Sequence, residues 1–260
     1  MYCSITRTAP PGGDMARGRQ PAVRRTPALT LAAAALALTG TALADRPVQA
    51  DTTAKPRGHD VSSYQGKVNW KRARTDGARF VYVKATEGTA YKNPHFKQQY
   101  GGAGAAGILR GAYHFARADE SSGKAQAAHL VRNGGTWRGD GATLPPALDL
   151  EAAYGKTCHG LSRAGMRGWI RSFSNEVRRL TGRRPVLYTS TRWWRTCTGD
   201  SAAFARTHPL WLADWRGTPG PLPGGWHARA LWQYANKGRL PGDQNLFNGT
   251  LTQLRKFARG

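Results

Sequence analysis

Acidic residues are scarce in this chain. Fifteen Asp and Glu stand against thirty-nine Lys and Arg, a formal charge of +24. The arginines are scattered rather than gathered in a run or on one helix face. No zinc finger, ribonucleoprotein motif or helix-turn-helix signature accompanies them, so the charge indicates a preference for polyanions but no nucleic-acid chemistry. Cysteine is rarer still, at three. No metal-ligand spacing is present, and His159 beside Cys158 lacks two further ligands at finger-like spacing, so no metal is expected. Ser62-Ser63 makes no nucleophile elbow. Gly88, Gly101-Gly102 and Gly104 do not form a phosphate-binding loop after a strand, and no organic cofactor is expected. The apolar run Leu29 to Leu38 is too short and too alanine-rich to favour a membrane span, which argues against an integral membrane protein.

That run is better explained as part of a leader. Arg17, Arg19, Arg24 and Arg25 precede it, and Thr39-Gly40-Thr41-Ala42-Leu43-Ala44 follows, ending in an Ala-x-Ala pattern. This order is that of a secretory signal peptide, with cleavage after Ala44 as first choice and after Ala50 as second. Residues 1–14 fit no targeting pattern, and Met15 is the more natural start. The first 44 residues hold five arginines and one aspartate, net +4, which leaves 24 − 4 = +20 for the exported part. Cys158 and Cys197 remain after the leader. An even count in an oxidising compartment predicts one disulfide between them, the alternative being two unpaired buried thiols. Residues 45–56 form a polar linker with Pro47 and Pro56, and the folded domain is expected over 57–260.

The 260 residues suffice for one large domain such as an α/β barrel. Strands are expected at 57–61, 80–84, 108–115, 147–151 and 185–189, the first four followed by helices. The helices open at Asn69-Trp70, at Asn93-Pro94 with proline in the first turn, at Ser121 and at Ser162. The helix from Ser162 to Leu180 carries Met166, Trp169, Ile170, Phe173 and Val177 near helical spacing. The rhythm then changes. Leu210 to Trp215 and Ala230 to Tyr234 are strands joined by a Pro/Gly loop with no helix, and 243–247 is a last short strand before a terminal helix. Alternating β and α segments favour a parallel sheet, and the count favours a closed, irregular TIM-like α/β barrel of eight strands with five helices, the last strands partly antiparallel. Cys197 is placed in the loop after the fifth strand.

The centre of the pattern is Pro145-Pro146-Ala147-Leu148-Asp149-Leu150-Glu151, an apolar strand ending in two carboxylates. Residues i and i+2 share a strand face, so Asp149 and Glu151 project together, with roughly 6.5–7 Å between their Cα atoms. Neighbouring acids raise one another's pKa, and a raised one can act as a general acid. The competing reading is a solvated strand end before an acidic loop. Asp60, Glu87 and Asp243 also lie at or near strand termini, where barrels of this kind gather catalytic groups. Asp243 sits at the start of its strand, and an antiparallel strand would bring that start to the same face.

Six segments in order, Gly58-His59-Asp60-Val61-Ser62, Lys84-Ala85-Thr86-Glu87-Gly88, Gly111-Ala112-Tyr113-His114-Phe115, Leu148-Asp149-Leu150-Glu151, Leu210-Trp211-Leu212-Ala213 and Trp232-Gln233-Tyr234, resemble the family 25 glycoside hydrolases. The resemblance runs from about Arg57 to the C-terminus. It implies a lysozyme that cuts the bond from N-acetylmuramic acid to N-acetylglucosamine in bacterial peptidoglycan, on an irregular barrel of eight strands and five helices. It implies Glu151 as proton donor, with Asp149, Asp60 and Asp243 as the other catalytic carboxylates, the last in a looser match. Tyr113, Phe115, Tyr188 and Trp215 fall where the family lines its groove with aromatics, and Glu87 and Gln233 sit in matching motifs near the cleft.

Other residues have simpler roles. His59 and His114 lack a nucleophile partner and are assigned to packing or hydrogen bonding. Trp70 and Trp169 are assigned to the core. Trp193, Trp194, Trp215 and Trp226 are placed in loops or at strand ends, where sugar stacking and loop anchoring are equally weighted. The leading expectation is a secreted, monomeric muramidase whose partners are peptidoglycan and anionic wall polymers. A non-catalytic glycan-binding module on the same barrel would require a broken acid pair. A nucleic-acid-binding protein would account for the charge but not for the export signal or the carboxylates.

Overall fold

Along the central strands alternate residues enter the barrel interior or the layer beneath the helices, and the β1–β2 pairing closes the sheet. The computed structural model describes residues 54–260, so the leader and all but the last three residues of the linker lie outside the described residues. The strands are β1 (Arg57–Val61), β2 (Ala78–Glu87), β3 (Tyr91–Lys92), β4 (Leu109–Phe115), β5 (Ala147–Leu150), β6 (Val186–Thr189), β7 (Leu210–Ala213), β8 (Leu231–Ala235) and β9 (Asp243–Phe247). Eight of them close in the order β1-β9-β8-β7-β6-β5-β4-β2, with β2 returning to β1; the two-residue β3 hangs on β2.

In β2, Phe80 and Tyr82 point into the barrel, while Val81 and Val83 point out toward Trp70 and Ile108. Along β5, Ala147 points in, and Leu148 and Leu150 pack outward. The interior is filled by Phe80, Tyr82, Tyr113, Tyr188, Trp211 and Leu231. Rings of this size fit because small residues face them: a Cβ at Gly58 would meet the Phe80 ring at 2.5 Å, and one at Gly111 the Tyr82 ring at 2.4 Å. Leu254 and Ala258 of the last helix join this interior cluster beside Leu231 and Phe247, which lie at one end of the barrel.

The helices are α1 (Trp70–Thr75), α2 (Phe96–Ala105), α3 (Gly123–Arg132), α4 (Arg163–Thr181), α5 (Thr191–Thr198) and α6 (Leu251–Arg259). Helix α4 begins at Ser162, whose hydroxyl accepts from the Gly165 N–H, and stops at Gly182 in the left-handed conformation (φ 76°). It buries Met166, Trp169, Ile170, Phe173 and Val177 against the sheet and α3, each contributing roughly 1.5–3 kcal/mol.

Four local expectations need correction. There are six helices among the described residues rather than five, because α5 replaces the expected loop; Ser190 caps it and Gly199 ends it (φ 71°). Cys197 therefore sits on a helix, and its disulfide to Cys158 ties α5 to the loop after β5. Helix α2 starts at Phe96 and not at Pro94, because Asn93 is occupied before it, its amide donating to the Lys84 carbonyl and to Gln99 Oε1. Trp193, Trp194 and Trp226 are buried and are scaffold; the Nε1–H of Trp194 donates to the Ser201 carbonyl and that of Trp226 to the His208 carbonyl. The partly antiparallel end of the barrel is as expected: β9 runs antiparallel to both its neighbours, while β7 and β8 pair in parallel across a connection without a helix.

Candidate active site

Parallel strands deliver their carboxyl ends to one mouth of the barrel, and the reversed β9 adds its first residue there. Asp60 on β1 lies opposite Asp243 on β9 in register. Asp149 lies on β5, and Glu151 follows one residue past the strand's end. All four acids line one cleft of about 210 Å³, together with Lys84, Tyr113, Phe115, Tyr188, Trp211 and Gln233. Ser62, Tyr64 and Gln65, from the turn after β1, complete one wall.

Gln233 joins two of these acids. Its amide donates to Asp60 Oδ2 at 3.0 Å and to Asp243 Oδ2 at 3.2 Å, while its Oε1 accepts from the Tyr188 hydroxyl and from Trp215 Nε1, each at 3.0 Å. Asn245 gives Asp60 a second amide donor at 2.7 Å and accepts at Oδ1 from Trp211 Nε1. No cation pairs with Asp60 among the described residues. Burial, then the Asp243 charge, outweigh the two amide donors and push its pKa up to about 8. Burial raises Asp243 to about 6.

The β5 pair is raised as well. Burial is the main cause at Asp149, followed by the Glu151 charge, and the pKa stands well above the usual carboxylate range. Glu151 is raised to about 6, by burial first; Lys84 opposes the rise and Asp243 adds to it. Two such neighbours titrate as one unit, and the pair retains a proton toward neutral pH. Asp149 Oδ1 is buried and has no hydrogen-bond partner in the protein. A buried acceptor left without a partner is costly, and it belongs to a residue that lines the cleft.

The cleft's cation is Lys84, which the motif contained but sequence reasoning gave no role. Its Nζ lies 2.6 Å from Glu87 Oε2 and 4.5 Å from the centre of the Phe115 ring. Glu87 is not on the cleft wall. Burial favours its neutral form, but hydrogen bonds from Lys84, Tyr154 and Arg117 and the Lys84 charge outweigh burial and lower its pKa. Trp215 is also off the wall, 53% exposed at the rim, and reaches the site through Gln233. His159 too was missed: its Nε2 lies 2.9 Å from the Glu151 carbonyl oxygen, at the backbone of the acid pair. Its left-handed backbone (φ 51°) beside the disulfide was no visible signal in a sequence. His59 and His114 are buried scaffold, held near pKa 4 chiefly by burial; His59 faces the Pro241 carbonyl and His114 bridges Thr86 and Gln126. Among the described residues no His, Cys, Asp and Glu cluster could hold a metal ion.

A closed barrel with a raised carboxyl pair at the carboxyl ends of its strands has the layout of a barrel hydrolase. The model of the glycosyl hydrolases family 25 matches residues 59–243, and the chain belongs to that family. It is 46% identical over 234 residues to an N,O-diacetylmuramidase of Arthroderma benhamiae, covering 89% of this chain and 97% of that protein. It is 42% identical over 220 residues to Lysozyme M1 of Streptomyces globisporus, covering 82% and 75%. The solved structure of a family GH25 lysozyme from Aspergillus fumigatus superposes with a TM-score of 0.78 at 46% identity, over 80% of this chain and all of that one. The protein is a glycoside hydrolase.

Proposed function

We propose that the protein is a secreted muramidase that hydrolyses the β-1,4 bond from N-acetylmuramic acid to N-acetylglucosamine in peptidoglycan. The observation that carries this reading is the raised Asp149–Glu151 pair in an open cleft, with Asp149 Oδ1 unpartnered. The muramidase and lysozyme relatives support the substrate. Glu151 gives its proton to the glycosidic oxygen as the bond to the anomeric carbon breaks. The carbonyl oxygen of the sugar's own 2-acetamido group closes on that carbon, and Asp149 orients the acetamide by accepting its N–H. Water then opens the ring, losing a proton to the Glu151 carboxylate. Asp60 and Asp243, tied together by Gln233, and the ring faces of Tyr113 and Tyr188 complete the pocket around the oxocarbenium-like centre. The 1–44 leader directs export, and the Cys158–Cys197 disulfide agrees with an oxidising destination.

The test is clearing of a bacterial wall suspension followed by borohydride labelling of the new reducing ends. Labelled muramic acid is the expected product. Labelled glucosamine, or binding to walls without clearing, refutes the reading. The secreted protein should begin at Asp45 or Asp51, and N-terminal sequencing checks the leader.

A further inference from the structure

The barrel's other end carries the reverse chemistry. Gly182, Arg183 and Arg184 precede β6, and Thr207 and Pro209 precede β7, so this cavity lies at the amino ends of strands whose carboxyl ends form the cleft. It measures about 390 Å³ and is lined by Arg178, Arg183 and Arg184 with no carboxylate. None of the three is in an ion pair among the described residues.

Two of the guanidinium groups are held in place. Arg183 is half-buried, lies over Trp137 at 5.5 Å and Phe257 at 6.0 Å, and donates to the Phe257 carbonyl. Arg184 is half-buried and donates to Ser174 Oγ at 3.3 Å. Arg178 lies in the last turn of α4, where the helix dipole favours a cation, so it alone needs no ligand. The dipole does not account for Arg183 and Arg184 beyond the helix end. The cavity at α5 differs: it holds Arg192, Arg195 and Arg216, but Asp214 within it binds Arg216 at 2.6 Å, and Asp200 lies 3.6 Å from Arg195.

We propose that the Arg178–Arg183–Arg184 cavity binds phosphodiester groups of an anionic wall polymer, a poly(polyol phosphate), at the end of the barrel opposite the cleft. Guanidinium forks match phosphate oxygens two at a time, and two pre-placed arginines lose little freedom on binding. A polymer held there leaves the cleft open to the glycan. The proposal rests on the muramidase reading for its setting, yet it concerns a separate surface.

The experiment measures binding of poly(glycerol phosphate) to the whole protein in about 0.1 M salt. A triple variant, Arg178→Gln, Arg183→Gln and Arg184→Gln, is compared with a charge-matched control, Arg132→Gln, Arg171→Gln and Arg206→Gln. The site variant should bind at least about tenfold more weakly and the control nearly as well as the parent. In the parent, bound polymer should protect Arg178, Arg183 and Arg184 from an arginine-modifying dione; this arm needs no variant to fold. Hydrolysis of soluble peptidoglycan fragments should be unchanged in the site variant, and a parent inactive on them would count against the muramidase reading alone. Equal loss in both variants, or unprotected cavity arginines, overturns the site. Preference for an RNA of equal charge through the same arginines also overturns it.

Discussion

Asp60 lies near the end of β1 and Asp119 in the loop after β4, yet their acidities move in opposite directions. Asp60 has amide donors and an acidic neighbour, and burial drives it up to about 8. Burial also works against Asp119, but Lys156, its own backbone N–H, His159 and Arg117 prevail and hold it at about 2. The same side chain becomes a proton holder or a structural anion according to whether cations reach it. Among the described residues Lys84 is the one cation lining the cleft, and it is shared with Glu87. The cleft thus gathers four carboxyls beside one cation, and burial keeps protons on them toward neutral pH, which suits a site that must hand a proton to a leaving group.

The largest effect should come from removing the cleft's proton. Glu151→Gln keeps the shape but cannot donate, so wall clearing should fall on the order of 10²–10⁴-fold with circular dichroism unchanged. Asp149→Asn should lose most activity, and the double variant little more than the worse single one, because the pair acts as a unit. A folded Glu151→Gln protein that clears walls near the parent rate would remove Glu151 from the role of acid. Next comes the disulfide, which anchors the loop bearing two of Asp119's partners, Lys156 and His159. Replacing Cys158 and Cys197 with serine should cost about 2–4 kcal/mol in denaturant melts.

Lys84→Met probes the cleft's one cation. Activity should decline above pH about 6 as Glu151 loses its proton. Without the Lys84 charge both carboxyls rise further, so this basic limb should shift upward by up to about one pH unit. An unmoved limb would show that Lys84 is not coupled to the pair. The smallest effect is on stability. Asp60 keeps its proton when folded up to about pH 8, whereas the unfolded chain loses it near 3.8, so rising pH favours unfolding until pH 8 is passed. Between about 4 and 6.5, His59, His114 and His208 oppose this trend, because burial holds each near 4 and the unfolded chain binds the protons first. The melting temperature should therefore fall chiefly between pH 6.5 and 8, and Asp60→Asn should flatten that slope in calorimetry.

The barrel was legible because its signals are local. β-Branched and aromatic strands alternate with a capped helix such as Ser162 to Gly182, and period-two patterning separates Leu148 and Leu150 from Asp149. The acids stood out because acids are few. Helix α5 was hidden because eight residues with two tryptophans hold too little periodic pattern, although Ser190 and Gly199 bracket it. Lys84 and His159 were missed for another reason. Their roles depend on contacts with Glu87, Phe115 and the Glu151 carbonyl that a backbone turn or a neighbouring strand creates. Glu87 was read as a cleft residue because its motif lies beside one; three partners turn it away from the wall.

The seam between β1 and β9 sets the order in which this molecule can become active. Asp60 and Asp243 face each other across it, and the hydrogen bond from Gln233 to Asp60 spans 173 residues of chain. Contacts of such sequence separation form late, because the intervening loop must close first. A nascent chain that has made β1 to β7 holds the Asp149–Glu151 pair but neither the amide bridge nor the second aspartate. The pocket is finished by the last strand to be synthesised, so an incomplete polypeptide carries the acid pair without the machinery around it.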